Sequence, residues 1–353
     1  MKILVRLPNW LGDAIMASYA LEILRQAFKE VQFYLVGSKV AIELFKTQNF
    51  KNTTLLVDNT KCGGILSRIL KTRQFAKKIP PCDIAITLQN NFPSALLLYF
   101  NNAAFKIGFS ANCRRIFLDS SPKKPQNLHE AMRYATLIFK ALEAFKKEIP
   151  QIKPKLYLNP INVESQILPL DFKGVKLLGV NAGAAFGSAK RWEVESFAKV
   201  AEHFLNKNFK ILLFGIDSER EINEAILEKI TESLKSGILN LCGKTNLSDL
   251  LQILPHLRLF LTNDSGPMHL ASALNVKTLA LFGPTRDDET SPFNAKNSRI
   301  ISLKTLGIPL KCAPCMKRSC PLSRDSKDYH ACMKNLSVKA VISELEAMLM
   351  EEI

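Results

Sequence analysis

Short apolar runs separated by stretches of helical spacing set the pattern of this chain. Residues 3–7, 33–36, 55–57 and 84–87 are almost continuously apolar and of strand length. Runs without polar alternation belong to strands of a parallel sheet covered on both faces. Between the first two, Ala17, Ala20, Leu21, Leu24, Ala27 and Phe28 keep the spacing of one helix face. The alternation then restarts, with residues 177–181, 211–214, 259–262 and 278–282 reading as strands and residues 194–205 and 222–234 as helices between them. Two successive series of this kind predict an α/β protein of two Rossmann-like, doubly wound domains. Such sheets bind ligands beyond the C-terminal ends of their strands, so two domains facing a central cleft would line it with two rows of loops.

Residues 153–173 hold Pro154, Pro160 and Pro169 and little periodicity, which suits a linker and puts the boundary near residue 165. The predicted division is 1–165, 166–335 and a C-terminal amphipathic helix over 336–353. In that helix Val338, Val341, Ile342, Leu345, Met348 and Leu349 form the apolar stripe, and Ser337 is the candidate N-cap. A length of 353 residues exceeds what one hydrophobic core usually serves. No apolar run approaches the roughly 20 residues of a membrane span, and residues 1–7 run into Pro8 without a signal-peptide core. A cytoplasmic address is expected, and the eight cysteines then read as thiols rather than as a disulfide framework.

The formal charge of +16 is uneven: residues 1–150 carry 22 Lys and Arg against 10 Asp and Glu, a net +12. A basic surface of this kind attracts nucleic acid, a phosphorylated substrate or an acidic membrane face, or simply keeps the protein soluble. Nucleic acid lacks further support, because no RNP, helix-turn-helix or basic-aromatic platform accompanies the charge.

Four segments carry candidate chemistry. After the strand at 259–262 comes Asn263-Asp264-Ser265-Gly266-Pro267-Met268-His269 and a helical run. Gly266 suits an N-cap and Pro267 the first helical position, so the free N–H groups of Ser265, Gly266 and Met268 point with the helix dipole at an anion such as a diphosphate. A well-capped helix explains the same residues, with Asp264 as a turn former. Neither G-x-G-x-x-G after a strand nor G-x-x-x-x-G-K-[ST] occurs, which weakens dehydrogenase and P-loop readings. A second turn runs from Gly183 to Trp192 and delivers Lys190 and Arg191 to the same sheet edge, Lys190 as a phosphate ligand or as a solvated charge beside a core Trp192. In the first half, Leu7-Pro8-Asn9-Trp10-Leu11-Gly12-Asp13 places Asp13 at a helix start, as a general base for an attacking hydroxyl or as an N-cap. Finally, Cys312, Cys315, Cys320 and Cys332, with His330, suit either packed thiols or tetrahedral zinc, although the spacing matches no standard knuckle.

Taken together, these segments resemble the ADP-heptose:lipopolysaccharide heptosyltransferases of glycosyltransferase family 9, over nearly the whole chain. The likeness rests on the Leu7–Asp13 loop, on Phe186-Gly187-Ser188-Ala189-Lys190-Arg191-Trp192, on the Asn263–His269 loop with Leu281-Phe282-Gly283-Pro284-Thr285, and on the cysteine-rich segment. Ala184 and Ala185 stand where heptosyltransferase I enzymes of the family place Thr, which favours the heptosyltransferase II subgroup. The resemblance implies the GT-B fold and an inverting transfer of heptose from ADP-heptose to the first heptose of the inner core. It makes Asp13 the base, Lys190 the phosphate-binding lysine, Asp264 the carboxylate near the donor sugar and Asp217 the ribose-binding acid. Ser265, Gly266, Pro267, Met268 and His269 form the donor loop. Asn9 and Gly12 of the Asp13 loop, with the basic Lys61, Arg68, Lys71, Arg73, Arg114 and Arg115, are the candidate acceptor contacts. No metal or other cofactor is implied. The implied partners are ADP-heptose, a phosphorylated inner-core acceptor on lipid A and the anionic cytoplasmic face of the inner membrane, where the protein would be peripheral. Transfer to another core position or of another sugar, and a non-catalytic sugar-nucleotide-binding scaffold of envelope assembly, are the alternatives.

Overall fold

The computed structural model describes every residue except Asn49, Cys62, Asn112, Glu164, Glu352 and Ile353. The chain divides into two compact units, Met1–Leu158 and Asn159–Ile353. The first alternates β1 (Lys2–Arg6), α1 (Leu11–Ala27), β2 (Gln32–Gly37), α2 (Lys39–Lys46), β3 (Thr53–Val57), α3 (Ile65–Ala76), β4 (Ile84–Thr87), α4 (Phe92–Phe100), β5 (Phe105–Gly108) and α5 (Glu130–Ala144). Its sheet is parallel in every pair, in the order β3-β2-β1-β4-β5. Ile3, Leu4, Val5, Ile84, Ala85 and Ile86 are fully buried, as continuous apolar strands covered on both faces require. On one side Leu4, Val36 and Ala85 pack against Ala76 of α3 and Ala95 and Leu98 of α4.

The second unit runs β6 (Lys176–Asn181), α6 (Val194–Leu205), β7 (Phe209–Phe214), α7 (Arg220–Lys229), β8 (Ile238–Asn240), α8 (Leu247–Ile253), β9 (Leu259–Asn263), α9 (Gly266–Ala273), β10 (Thr278–Leu281), α10 (Asp287–Thr290), β11 (Ser298–Ile301), α11 (Ala331–Lys334) and α12 (Val338–Met350). Its parallel sheet has the order β11-β10-β9-β6-β7-β8. The C-terminal helix α12, capped by the Ser337 side chain as its sequence predicts, belongs to this unit. Its Val341, Leu345 and Met348 join Trp192, Phe197 and Val200 in one core. Lys277 Nζ fixes its end through the carbonyls of Met348 (2.7 Å) and Glu351 (2.6 Å).

The passage between units falls at Leu158–Asn159, ahead of residue 165, and side chains explain why. Leu156 and Leu158 are buried in the first unit, where the Tyr157 N–H donates to Ser18 Oγ at 2.9 Å. Beyond that point Ser165, Leu168 and Phe172 are buried as well, so the proline-rich stretch is packed structure rather than a loose tether. In each sheet the strand order reverses once, between β1 and β4 and between β6 and β9. Loops leaving the C-terminal ends of these neighbours diverge and leave a crevice, the place where open α/β sheets take ligands.

Candidate active site

In the first unit, Asn9 builds the turn that leaves β1. Its N–H donates to Gln89 Oε1 after β4 (3.0 Å), its carbonyl accepts from Ser38 Oγ (2.7 Å), and its Oδ1 accepts from Arg6 (2.8 Å). Arg6 is 3% exposed and pairs with Asp58 at 2.9 Å while also donating to the carbonyls of Leu7 and Val36. Burial lowers the Arg6 pKa more than the nearby Asp58 charge raises it. Burial alone would raise the Asp58 carboxyl, but the Arg6 charge and hydrogen bonds from Thr60 outweigh it and hold it below its ordinary range.

This closed network aims α1. Trp10, in extended conformation, is its N-cap residue, so Asp13 is not the cap but lies within the first turn, half-buried. A carboxylate is favoured there by the helix dipole. The Tyr134 hydroxyl of α5 donates to Asp13 Oδ1 at 3.4 Å. Burial first, then the charges of Asp13 and Glu130, push the Tyr134 phenol well above its ordinary pKa, so it remains a protonated donor. Asp13 is thus oriented from the side.

Among the acceptor candidates, Gly12 sits in the same first turn of α1, and Lys61, Arg73 and Arg115 are exposed. Lys71 is half-buried, and Arg68 faces a polar hollow lined also by Arg6, Asp58, Thr60, Asn91 and Ser94. Arg114, also a candidate acceptor contact, is instead turned into the unit. It is 1% exposed and clamps the β4–α4 loop through the carbonyls of Gln89 (3.2 Å) and Asn91 (3.4 Å) and through Asn90 Oδ1.

In the second unit, two buried asparagines stitch the loops after β6 and β9 together. Asn263 Nδ2 donates to the Ala182 carbonyl (2.7 Å) and its Oδ1 accepts from the Trp192 N–H (3.2 Å). Asn181 Nδ2 reaches Ser265 Oγ (3.3 Å). Asp264, 4% exposed, then receives Lys190 Nζ (2.5 Å) and Thr285 Oγ1 (2.6 Å) on one carboxylate oxygen. Lys190 also lies 4.7 Å from the centroid of the Phe186 ring, so it is a held cation rather than a solvated one.

The N-cap of α9 is Ser265 rather than Gly266, and Gly266 begins the helix with Pro267 in its first positions. The Ser265 hydroxyl meets Thr262 Oγ1 (3.0 Å) and makes no side-chain cap, which leaves the first-turn N–H groups for a ligand. Ser265, Gly266 and Pro267 are partly exposed, whereas Met268 and His269 are buried and support the turn from inside.

Asp217 points outward, its side chain 81% exposed and paired with Arg220 at 2.6 Å. Two residues on, Glu219 is 5% exposed and accepts from the Ile216 N–H. Its carboxyl abuts Gly183 so closely that a Cβ there would overlap it. Sequence reasoning passes over Glu219, because nothing in the local pattern separates it from the acidic residues around it. Cys312, Cys315, Cys320 and Cys332 are free thiols lining one hollow with Asp328 and His330. Burial, followed by the charges of Cys315, Cys312 and Cys320, pushes the Cys332 pKa to about 12. Among the described residues, no group of three or more His, Cys, Asp or Glu side chains is arranged to hold a metal ion.

Two parallel, doubly wound α/β units, each with its candidate chemistry at the switch point of its sheet, make up the GT-B architecture. The chain belongs to glycosyltransferase family 9 (heptosyltransferase), whose sequence pattern matches residues 72–324. It is 35% identical over 352 residues to the lipooligosaccharide heptosyltransferase 2 of Campylobacter jejuni, covering 99% of this chain and 98% of that one. With the lipopolysaccharide heptosyltransferase 2 of Salmonella typhimurium it shares 26% over 100% and 99% of the two chains. The solved structure of E. coli ADP-heptose lps heptosyltransferase II has the same fold, with a TM-score of 0.76 at 23% identity over 99% of both chains. A family 9 glycosyltransferase from Veillonella parvula gives 0.78 at 22%, over 99% of this chain and 97% of that one.

Proposed function

We propose that the protein transfers L-glycero-D-manno-heptose from ADP-heptose to the first heptose of a lipopolysaccharide inner core, with inversion at the anomeric carbon. The names of the Campylobacter and Salmonella relatives support the sugar and the acceptor, and that of the E. coli structure supports the donor. The observation that carries the donor assignment is the α9 N-terminus without a side-chain cap, beside which Lys190 is held on Asp264. As the bond from the anomeric carbon to the diphosphate breaks, its electrons pass to the leaving ADP, whose growing charge falls to Lys190 and the α9 N–H groups. The acceptor oxygen bonds to the same carbon from the opposite side and gives its proton to Asp13, help worth about 10²–10⁴-fold in rate. This reading assigns no step to a metal. Of the two acids in the β7–α7 region, the buried Glu219 beside Gly183 is better placed than the solvated Asp217 to accept from a donor hydroxyl.

The basic excess of the first half suits a phosphorylated acceptor, with Asn9 and Gly12 shaping the loop and Lys61, Arg68, Lys71, Arg73 and Arg115 as contacts. Arg114 contributes through the loop it clamps. Among the described residues no helix is long and apolar enough to cross a membrane. The exposed Ile65, Leu66 and Leu70 of α3, flanked by Lys71 and Arg73, fit peripheral attachment to the anionic cytoplasmic face of the inner membrane. The test is incubation with ADP-heptose and defined core acceptors, followed by mass spectrometry. An acceptor already bearing one heptose should gain a second. Transfer only to an acceptor without heptose, or none to either, would refute the assignment.

A further inference from the structure

The cysteine-rich segment docks on the donor loop. The Ala189 N–H donates to the Arg318 carbonyl at 3.0 Å, and His330 Nε2 meets the Ala189 carbonyl at 3.0 Å. Gly187 allows this approach, since a Cβ there would collide with the Arg318 backbone. With its backbone fixed in this way, Arg318 places its guanidinium 5.7 Å from the centroid of the Phe186 ring, the ring that also lies 4.7 Å from Lys190 Nζ.

The two cations on that ring are not equivalent. Lys190 is neutralised by Asp264, whereas Arg318 is exposed and forms no ion pair with any described carboxylate. A nucleoside diphosphate brings several negative charges, and a helix N-terminus answers with only about half a positive charge. The neutral Lys190–Asp264 pair leaves most of that charge unmatched. A guanidinium has the planar, multiply donating geometry that binds phosphate oxygens in pairs.

We propose that Arg318 is a second phosphate-binding cation of the donor site, gripping the diphosphate of the nucleotide alongside Lys190 and the first turn of α9. This rests on the donor reading above. It gives the cysteine-rich segment a direct part in substrate binding: the contacts at Ala189 and Gly187 set the position of one cation.

Calorimetric titration of the full-length protein with ADP and with AMP tests this, comparing the natural chain with Arg318→Gln and Arg318→Lys. Arg318 is exposed, so both variants should melt as the natural protein does without nucleotide. Arg318→Gln should weaken ADP binding about tenfold or more, as loss of a charge-assisted phosphate contact does. It should weaken AMP binding less and make the ADP affinity less sensitive to salt, and Arg318→Lys should recover much of the loss. Unchanged ADP affinity in Arg318→Gln overturns the role of Arg318 and leaves the donor reading intact. A natural protein that binds no ADP overturns the donor reading, and the role of Arg318 with it.

Discussion

Each unit holds a buried cation–carboxylate pair beside the C-terminal edge of its sheet, Arg6–Asp58 at 2.9 Å in the first and Lys190–Asp264 at 2.5 Å in the second. Their surroundings differ. The Arg6 guanidinium is shared among Asp58, Asn9 and two carbonyls, and Asp58 is also bonded by the Thr60 N–H (3.0 Å) and hydroxyl (2.6 Å). Among the described residues, Lys190–Asp264 is supported by Thr285 and a ring face, next to a partly exposed helix N-terminus and the exposed Arg318. An ion pair whose neighbours are all protein groups is a staple, and one that borders unfilled donors is a site. Burial alone does not tell the two apart.

Four substitutions break or sharpen that contrast. The largest effect on stability is expected from Arg6→Leu, which leaves Asp58 buried without its partner at a cost of about 3–5 kcal/mol. Urea denaturation should show this loss, with a smaller fall in transfer per folded molecule, because Arg6 also holds the Asn9 turn ahead of α1. Lys190→Ala should lower kcat/KM for ADP-heptose about 10²–10³-fold, as loss of one charge-stabilising group does, and should also lower the melting temperature, since it leaves the buried Asp264 without its partner. Thr285→Val removes one hydrogen bond from Asp264, and steady-state kinetics should show a loss of roughly 1 kcal/mol, about fivefold. The smallest effect is the pH dependence of the staple. The folded Asp58 carboxyl lies below its ordinary range, so its contribution is complete above about pH 4 and is lost as pH falls through the folded value. Denaturation at stepped acid pH should show Asp58→Asn to be less stable at neutrality but flatter below pH 4.

How much of this was legible beforehand follows from burial. Strands β1, β2, β4, β6, β7, β9 and β10 are apolar runs and could be located within a residue or two. Strands β5, β8 and β11 escaped, because they are three or four residues long, lie toward the sheet edges and are only partly buried. The helical spacing at 222–234 continues past the end of α7 at Lys229, where a 3-10 turn over Glu232–Gly237 takes over. At the site, residue types and loop order could be read, but side-chain direction could not. Lys190 and Asp264 form a direct pair, Arg114 is turned inward, and Glu219 rather than Asp217 lies against Gly183. Arg318 sits more than a hundred residues from the loop it touches, with no local pattern to mark it.

The central claim is that heptose transfer depends on Asp13 as base, and the kinetics of Asp13→Asn test it most directly. With ADP-heptose and a heptose-bearing acceptor, kcat should fall about 10²-fold or more while the KM for ADP-heptose stays near that of the natural protein. An undiminished kcat would contradict the account, leaving Asp13 a first-turn carboxylate of α1 held by Tyr134.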